Sequence, residues 1–389
     1  MPERDILIVG GGPAGVSTAL FFVAAAPELA ERLLLIDKAR FPREKICAGA
    51  IGARAERALA GIGVAITVPS VEVSGLSVAT PSARLAVDGG EIIGRVVRRR
   101  ELDHALLDEV RRRGVEVREG VRTLGVEATP GGAVCHTSEG PRTARAVVGA
   151  DGVGSVVRRS LPQGEGIFHA QAVEVDTPRV ASDGDERHLH FELADPHYPG
   201  YAWDFPTLVD GERLVCRGIY QLTRGVSSTG PDVATLLAAR LRRQGLDPAR
   251  YRVRRFAERG LPRHQPLAGP GVLLVGEAAG IDPALGEGIA QAILYGEVAG
   301  RYLAEAVTRS DFTFADYPER VRRSRVGLDL RIRRAATPWI YGAQRPLVER
   351  WVSRSQALAR AGMAYFAGRR VPRGELLRAA LDLGAALVE

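Results

Sequence analysis

The sequence predicts an α/β fold in which a nucleotide-binding unit is interwoven with an antiparallel β-sheet unit and followed by C-terminal helices. Three observations predict it. Short all-apolar runs ending in glycine or acid recur as ILIVG (6–10), LLLID (33–37), AVVGAD (146–151) and VLLVGEAA (272–279), the pattern of parallel strands buried on both faces. Between them the texture changes to period-two alternation in VEVSGLSVA (71–79), HLHFEL (188–193), GYAWDFP (200–206) and RLVCRGIY (213–220), separated by Pro, Gly and Asp. From about Asp311 the chain becomes rich in Arg, Ala, Leu and Trp, which reads as helices capping the other two units. At 389 residues the chain is long enough to bury a large core shared by two or three such units.

Each element follows from local chemistry. A helix is expected over residues 13–26, with Pro13 in the first turn, where a missing amide proton costs nothing. With the flanking strands it makes a βαβ unit. ELDHALLDEVRRRG places Leu102, Ala105, Leu106 and Val110 on one helical face and stops at Gly114, a natural C-terminal cap. A long helix is expected from about Leu285, and TPRVASDGDER (177–187) reads as a surface connection. The predicted division is a discontinuous nucleotide-binding unit (1–65, 92–160 and 263–310), a sheet unit (66–91 and 161–262) and a helical region (311–389).

Composition excludes several classes. With 46% hydrophobic and 25% charged residues the chain is neither disordered nor fibrous. Cys47, Cys135 and Cys216 are odd in number and far apart, which argues for a reducing compartment and against a disulfide framework. His188 and His190 share a strand face with no third ligand nearby, so no metal is expected. The longest apolar run carries four glycines and a proline at one end, a poor membrane span, and MPERD is not a secretory leader. A cytoplasmic location is expected, peripheral at the membrane if the arginines act on it. The net charge is +7, with Arg322, Arg323, Arg325, Arg331, Arg333 and Arg334 clustered late. Their plain reading is a solvated helix face, and their functional reading is attraction to a membrane surface or phosphorylated substrate. Few aromatics interleave with them, so no nucleic acid is expected.

The spacing Gly10-x-Gly12-x-x-Gly15 follows a strand and opens a helix with Pro13 and Ala14, and Asp37 ends the next strand ahead of Lys38. Gly10 permits the tight turn, Gly12 lets backbone approach a pyrophosphate, and Gly15 lets helix and strand pack closely, as in a Rossmann-like unit. Phosphate then meets the helix N-terminus. Asp37 is placed to accept from a ribose 2′-hydroxyl. This pattern suits NAD and FAD alike.

VVGADGVGSVVRR (147–159) and LLVGEAAGIDPALGEGI (273–289) resemble the second and third fingerprints of the para-hydroxybenzoate hydroxylase-like superfamily of FAD enzymes. That resemblance implies FAD. It places Asp151 and Gly152 beside the pyrophosphate and ribose, and Gly276 and Glu277 at the ribityl chain, with Glu where Asp is usual. It also implies that the loop from Pro283 through Gly286, Gly288 and Ile289 presents amides to flavin N1 and O2, and that Arg99 reaches the phosphates; otherwise Arg99 is an ordinary surface arginine in a run of three. No second dinucleotide fingerprint is present, so the electron donor is expected to be NAD(P)H bound transiently, a ferredoxin or another reductase.

Phe41, Pro42, Lys45, Cys47 and Gly49 match the Phe-Pro-x-x-Lys-x-Cys-x-Gly pattern of the geranylgeranyl reductase family, and Tyr201, Trp203, Phe205 and Pro206 match its Tyr-x-Trp-x-Phe-Pro-Lys pattern, with Thr207 replacing the lysine. The resemblance implies a Rossmann-like FAD-binding domain interwoven with an antiparallel substrate domain, reducing carbon–carbon double bonds of a prenyl or other hydrophobic, lipid-like substrate. Tyr201, Trp203 and Phe205 share one strand face, an apolar wall or plain core. Cys47 is the candidate for positioning or protonation, its alternative being apolar filler. Lys45 serves flavin or substrate charge, or simply faces solvent. The competing function is an oxygen-using flavoenzyme, a hydroxylase or, since GYAWDFP also resembles a degraded halogenase signature, a halogenase.

Overall fold

Ile6, Leu7, Ile8 and Val9 are all buried, and a strand apolar on both faces takes the centre of a sheet. In the computed structural model, which describes residues 3–162, 164–193, 199–223, 232–264 and 266–388, strand Arg4–Val9 does so. It pairs in parallel with Leu33–Asp37 on one side and Gly140–Gly149 on the other. Glu116–Glu119 and Val272–Leu274 extend the parallel set outward, and Ala268–Gly269 closes one edge antiparallel. The first half of the long strand Gly140–Gly149 leaves this layer to pair with Gly132–Thr137, which in turn pairs with Thr123–Thr129. Helices Pro13–Ala25 and Ile289–Arg309 pack together where Gly296 and Gly300 face the first helix. A Cβ at Gly296 would lie 2.6 Å from Ser17 Cβ, and one at Gly300 2.6 Å from Thr18 O.

The second layer is a seven-stranded sheet in the order Arg254–Arg259, His169–Thr177, Glu212–Thr223, Gly200–Val209, His188–Glu192, Gly75–Ala79, Arg84–Asp88. It is antiparallel except where His188–Glu192 meets Gly75–Ala79. Period two divides strand Gly200–Val209 between two interiors. Tyr201, Trp203 and Phe205 turn inward, toward Ala359 and Met363 of helix Gln356–Phe366. Ala202 turns outward onto Val233, Leu237 and Leu241 of helix Val233–Arg243. Five helices, Tyr317–Arg323, Arg325–Ile340, Arg345–Arg354, Gln356–Phe366 and Arg373–Val388, complete the described chain. No helix among the described residues is long and apolar enough to cross a membrane.

Three expectations about local elements change. VEVSGLSVA is two strands in two sheets: Ser70–Val73 joins a small sheet with Ala50–Gly52 and Gly94–Val97, and Gly75–Ala79 joins the large one. The break has a cause. The amides of Ser74 and Gly75 both turn to Arg187 O, and a Cβ at Gly75 would meet His188 Nε2 at 2.4 Å. The strand in VLLVGEAA ends at Leu274, because Gly276 adopts a left-handed φ of 58° and turns the chain into a short 3₁₀ segment. The helix expected from Leu285 begins at Ile289, because the backbone before it is held by side chains from elsewhere.

The outward polar face of the large sheet carries a buried ionic cluster. Arg217 is inaccessible to solvent and donates to Asp183 at 2.8 and 2.7 Å and to Thr177 Oγ1 at 2.8 Å; Arg240 binds Asp204 through both nitrogens at 2.7 and 2.6 Å. Removing one partner of such a cluster leaves an uncompensated buried charge. Arg217→Met is therefore expected to lower the unfolding free energy by about 3–5 kcal/mol in urea denaturation, because Asp183 loses its guanidinium.

Candidate active site

The turn after the first strand is built on close approach. Gly10 has a φ of 114°, and a Cβ on Gly15 would fall 1.9 Å from Gly10 O, so neither position accepts a side chain. Gly12 differs: the nearest groups to its missing Cβ are the guanidinium nitrogens of Arg43 and Arg99, each 3.7 Å away. Both arginines are held by one carboxylate. Asp103, fully buried on helix Arg99–Arg112, binds Arg99 in a fork at 2.7 and 2.7 Å and Arg43 at 2.9 Å. Arg43 Nη1 is buried with no hydrogen-bond partner among the described residues. Asp37 accepts from the amides of Gly11 and Ala39, both at 2.7 Å, which fixes its carboxylate at the strand end.

Gly10, Gly12, Asp37, Arg43 and Arg99 line a cavity of about 590 Å³. Of the residues expected at a cofactor, Gly10, Gly12, Pro13, Ala14, Asp37, Lys38, Lys45, Arg99, Asp151, Gly152, Glu277, Gly286, Gly288 and Ile289 line it. Gly15, Gly276 and Pro283 do not. Gly15 packs on Gly10, Gly276 lies against Ala14, and Pro283 offers its carbonyl to Tyr220. The Asp151 carboxylate, though at the wall, accepts from Ser155 Oγ at 2.5 Å and from the Val156 amide at 2.6 Å, so it caps its own turn.

A second, apolar cavity of about 290 Å³ lies between the inward aromatic face of the large sheet and helix Gln356–Phe366. Tyr201, Trp203 and Phe205 line it together with Phe191, Tyr220 and Met363. Cys47, Phe256, Glu258, Gly286, Gly288 and Ile289 line both cavities. They form the seam between the two. The loop carrying Cys47 reaches this seam because its amide donates to Glu174 Oε1 (3.3 Å) on the large sheet. Two residues on, Gly49 has a φ of 82° where a Cβ would meet Val97 O at 2.0 Å.

The segment before helix Ile289–Arg309 is held from three directions. Tyr220 Oη donates to Pro283 O at 3.0 Å, Tyr341 Oη to Ala284 O at 2.6 Å and Tyr201 Oη to Leu285 O at 2.5 Å. Asp282 accepts from the amides of Ala284 (2.7 Å) and Glu287 (3.3 Å) and is paired with Arg333, which also binds Glu287 and Asp329. The late arginine cluster thus divides: Arg333 is part of the floor of this site, whereas Arg322 and Arg323 are exposed and paired with Glu319.

Electrostatics at the seam favour neutral acids. Burial pushes the Cys47 thiol up, with Arg99 pulling the other way. Burial also raises Glu277, opposed by Lys45. Glu258 is raised well above the usual carboxylate range by burial and by the neighbouring Glu277 and Asp282, against the pull of Lys45, and its Oε2 is buried with no hydrogen-bond partner among the described residues. Sequence reading did not single out Glu258, Arg43, Asp103, Tyr220 or Tyr341. Only Asp103 left a local signal, an acid one helical turn after Arg99.

Two outcomes follow. Trp203 sits opposite Gly218 across the strand pair, and a Cβ there would lie 2.1 Å from Trp203 Cζ2. Gly218→Ala is expected to cost about 1–3 kcal/mol by denaturation and to shift tryptophan emission, because the indole must leave its rotamer. Glu258 holds its proton more tightly in the folded chain than in the unfolded one, so its contribution to stability is complete below about pH 4.3 and is lost as pH rises through the raised folded value. Glu258→Gln does not titrate, so its melting temperature relative to the parent is expected to climb as pH rises from about 4 to 8.

A family profile described as FAD binding domain matches residues 3–324. Digeranylgeranylglycerophospholipid reductase 1 of Methanopyrus kandleri is 30% identical over 330 residues, covering 79% of this chain and 82% of that protein. Menaquinone reductase of Mycolicibacterium smegmatis is 27% identical over 337 residues, 80% and 78% of the two chains. The crystal structure of a geranylgeranyl bacteriochlorophyll reductase-like protein from Thermoplasma acidophilum superposes with a TM-score of 0.71 at 21% identity, covering 96% of this chain and 95% of that one. A flavin-dependent brominase and an aklavinone hydroxylase share the fold at lower identity. The chain belongs to the FAD-binding-domain family and is an FAD-dependent oxidoreductase resembling the geranylgeranyl reductases.

Proposed function

We propose that the protein saturates carbon–carbon double bonds of a prenyl or similarly apolar chain. The observation that carries this reading is the apolar cavity, walled by Tyr201, Trp203 and Phe205, that shares Cys47, Glu258 and Gly288 with the larger cavity. Among the apolar cavity's lining residues, the charged Glu287 and Arg333 are already paired with each other, so a polar or charged substrate would recover little of its lost hydration there.

The larger cavity fits FAD on its own chemistry. Arg43 and Arg99 flank the glycine turn with one buried guanidinium nitrogen unpartnered, a site for a pyrophosphate at a helix N-terminus. Asp37 suits a ribose hydroxyl, Gly152 the pyrophosphate and ribose, Glu277 a ribityl chain, and the segment ending at Gly288 and Ile289 the ring. Reduced FAD, when bound, supplies a hydride and its electron pair. The protein's part is to exclude water, to lay an alkene on the aromatic wall and to supply a proton, because no carbonyl stabilises the developing charge. Aromatic faces contribute about 0.5–2 kcal/mol toward cationic character at the alkene. Cys47, kept a neutral thiol at the seam, positions the chain or donates a proton, and Lys45 offsets the acidic side of the cavity.

The electron donor in this reading is NAD(P)H bound transiently, a ferredoxin or another reductase. A lipid-like substrate also favours peripheral contact with a membrane. Helix Arg373–Val388 exposes Leu376, Leu377 and Leu381 beside Arg373 and Arg378, a composition that suits an anionic interface.

Anaerobic turnover of a panel of prenyl compounds by dithionite-reduced holoenzyme tests the function. A mass gain of two hydrogens per double bond is expected; oxygen consumption tied to turnover, with no saturated product without oxygen, would replace it with the hydroxylase or halogenase reading. Asp103→Asn frees both arginines, and FAD is expected to bind about tenfold weaker or worse, about 1.4 kcal/mol, in reconstitution of apoprotein followed by flavin fluorescence. Flotation with anionic vesicles is expected to fall with salt and on Leu377→Asp.

A further inference from the structure

The geometry points to Glu258 as the acid that protonates the substrate alkene, with Cys47 shaping the cavity beside it. This rests on the reductase reading above. Glu258 ends the inward side of strand Arg254–Arg259 and lines both cavities, so one side chain reaches from the cofactor space into the apolar space. Its Oε2 lies 2.8 Å from where a Cβ on Gly286 would stand, so a side chain at 286 would crowd the carboxyl, and Gly286 is itself a seam residue. That oxygen is buried and has no hydrogen-bond partner among the described residues. An unpaired carboxylate in such a place is costly, whereas a neutral carboxylic acid is not and carries a transferable proton.

Two further features separate Glu258 from Cys47. Burial raises the Cys47 thiol, which is already a weaker acid than a carboxyl, still further, while its backbone amide is held by Glu174. Glu258 is a carboxyl, and burial with the neighbouring Glu277 and Asp282 raises it, so its acid form is favoured where an exposed carboxyl would be ionised. Lys45 is exposed at the mouth of the larger cavity and acts electrostatically on both Glu258 and Glu277, which marks the side from which a spent carboxylate regains a proton from water. In the reaction the alkene π bond breaks. One carbon takes a hydride with its electron pair from the dihydroflavin reductant, which is oxidised; the other takes the Glu258 proton, leaving a carboxylate that water reprotonates. Atoms and electrons balance with reduced FAD as the sole reductant.

Glu258→Gln and Glu258→Asp holoenzymes test this beside the parent and Cys47→Ser. Infrared difference spectra on shifting from pH 7 to higher pH are expected to show loss of a protonated carboxylic acid band in the parent and no such loss in Glu258→Gln. Absence of that band in the parent overturns the proposal whatever the enzyme's activity. In anaerobic single turnover with a prenyl alkene in D₂O, Glu258→Gln is expected to retain FAD and to slow alkene reduction by about 10²- to 10⁴-fold, with Glu258→Asp recovering part. A Glu258→Gln rate within about threefold of the parent, with Cys47→Ser slowed instead, overturns the assignment and leaves the reductase reading standing. A parent that binds the alkene yet reduces none removes the reductase reading and this assignment with it.

Discussion

The backbone between Asp282 and Gly288 lies outside any helix or strand, and the site depends on how its polar groups are met. Buried carbonyls and amides without partners cost about 1–3 kcal/mol each. Here three successive carbonyls are taken by tyrosine hydroxyls from two strands of the large sheet and from the end of helix Arg325–Ile340, and two amides are taken by Asp282. Arg333 neutralises Asp282 from the C-terminal helices. One short segment is therefore the point at which all three parts of the molecule are tied. Its end delivers Gly288 and the N-terminus of helix Ile289–Arg309 to the seam between the cavities.

The aromatic stripe consequently has two uses. Tyr201 contributes its ring to the apolar wall and its hydroxyl to the clamp, and Tyr220, stacked on it at 5.2 Å between centroids, does the same. Trp203 and Phe205 continue the wall, and Gly218 leaves room for the indole. Core packing and cavity lining are therefore one arrangement, because an empty space among rings is stable only when the rings are fixed by contacts outside it.

Charge is sorted along the larger cavity. At the glycine turn, Asp103 gathers two guanidinium groups and leaves one nitrogen unpartnered, which suits an anion. Toward the seam, Glu258 and, on the wall of the larger cavity, Glu277 both feel the exposed Lys45, and burial favours their protonated forms. A cationic end and an acidic end in one cavity would suit a cofactor that has a phosphate end and a ring end.

Local spacing was enough for much of this. The Gly10, Gly12 and Gly15 turn, Asp37 at the strand end and the shared strand face of Tyr201, Trp203 and Phe205 follow from geometry within a few residues, and the sheet and helix classes follow with them, whereas Cys47 is placed at the seam by Glu174 from a distant strand. Spacing failed where distant segments compete for the same backbone: the chain turns between Val73 and Gly75 because His188 and Arg187 arrive there, and Ile289 rather than Leu285 starts a helix because tyrosines from other elements hold the carbonyls before it. Amino-acid order by itself determined which residues face a nucleotide turn and which share a strand face, since these are set by the geometry of one or two peptide units. Tertiary structure alone decided that Glu258, Asp103 and Arg43 belong to the site, because burial and charge pairing arise only when segments far apart in the chain exclude water from one another.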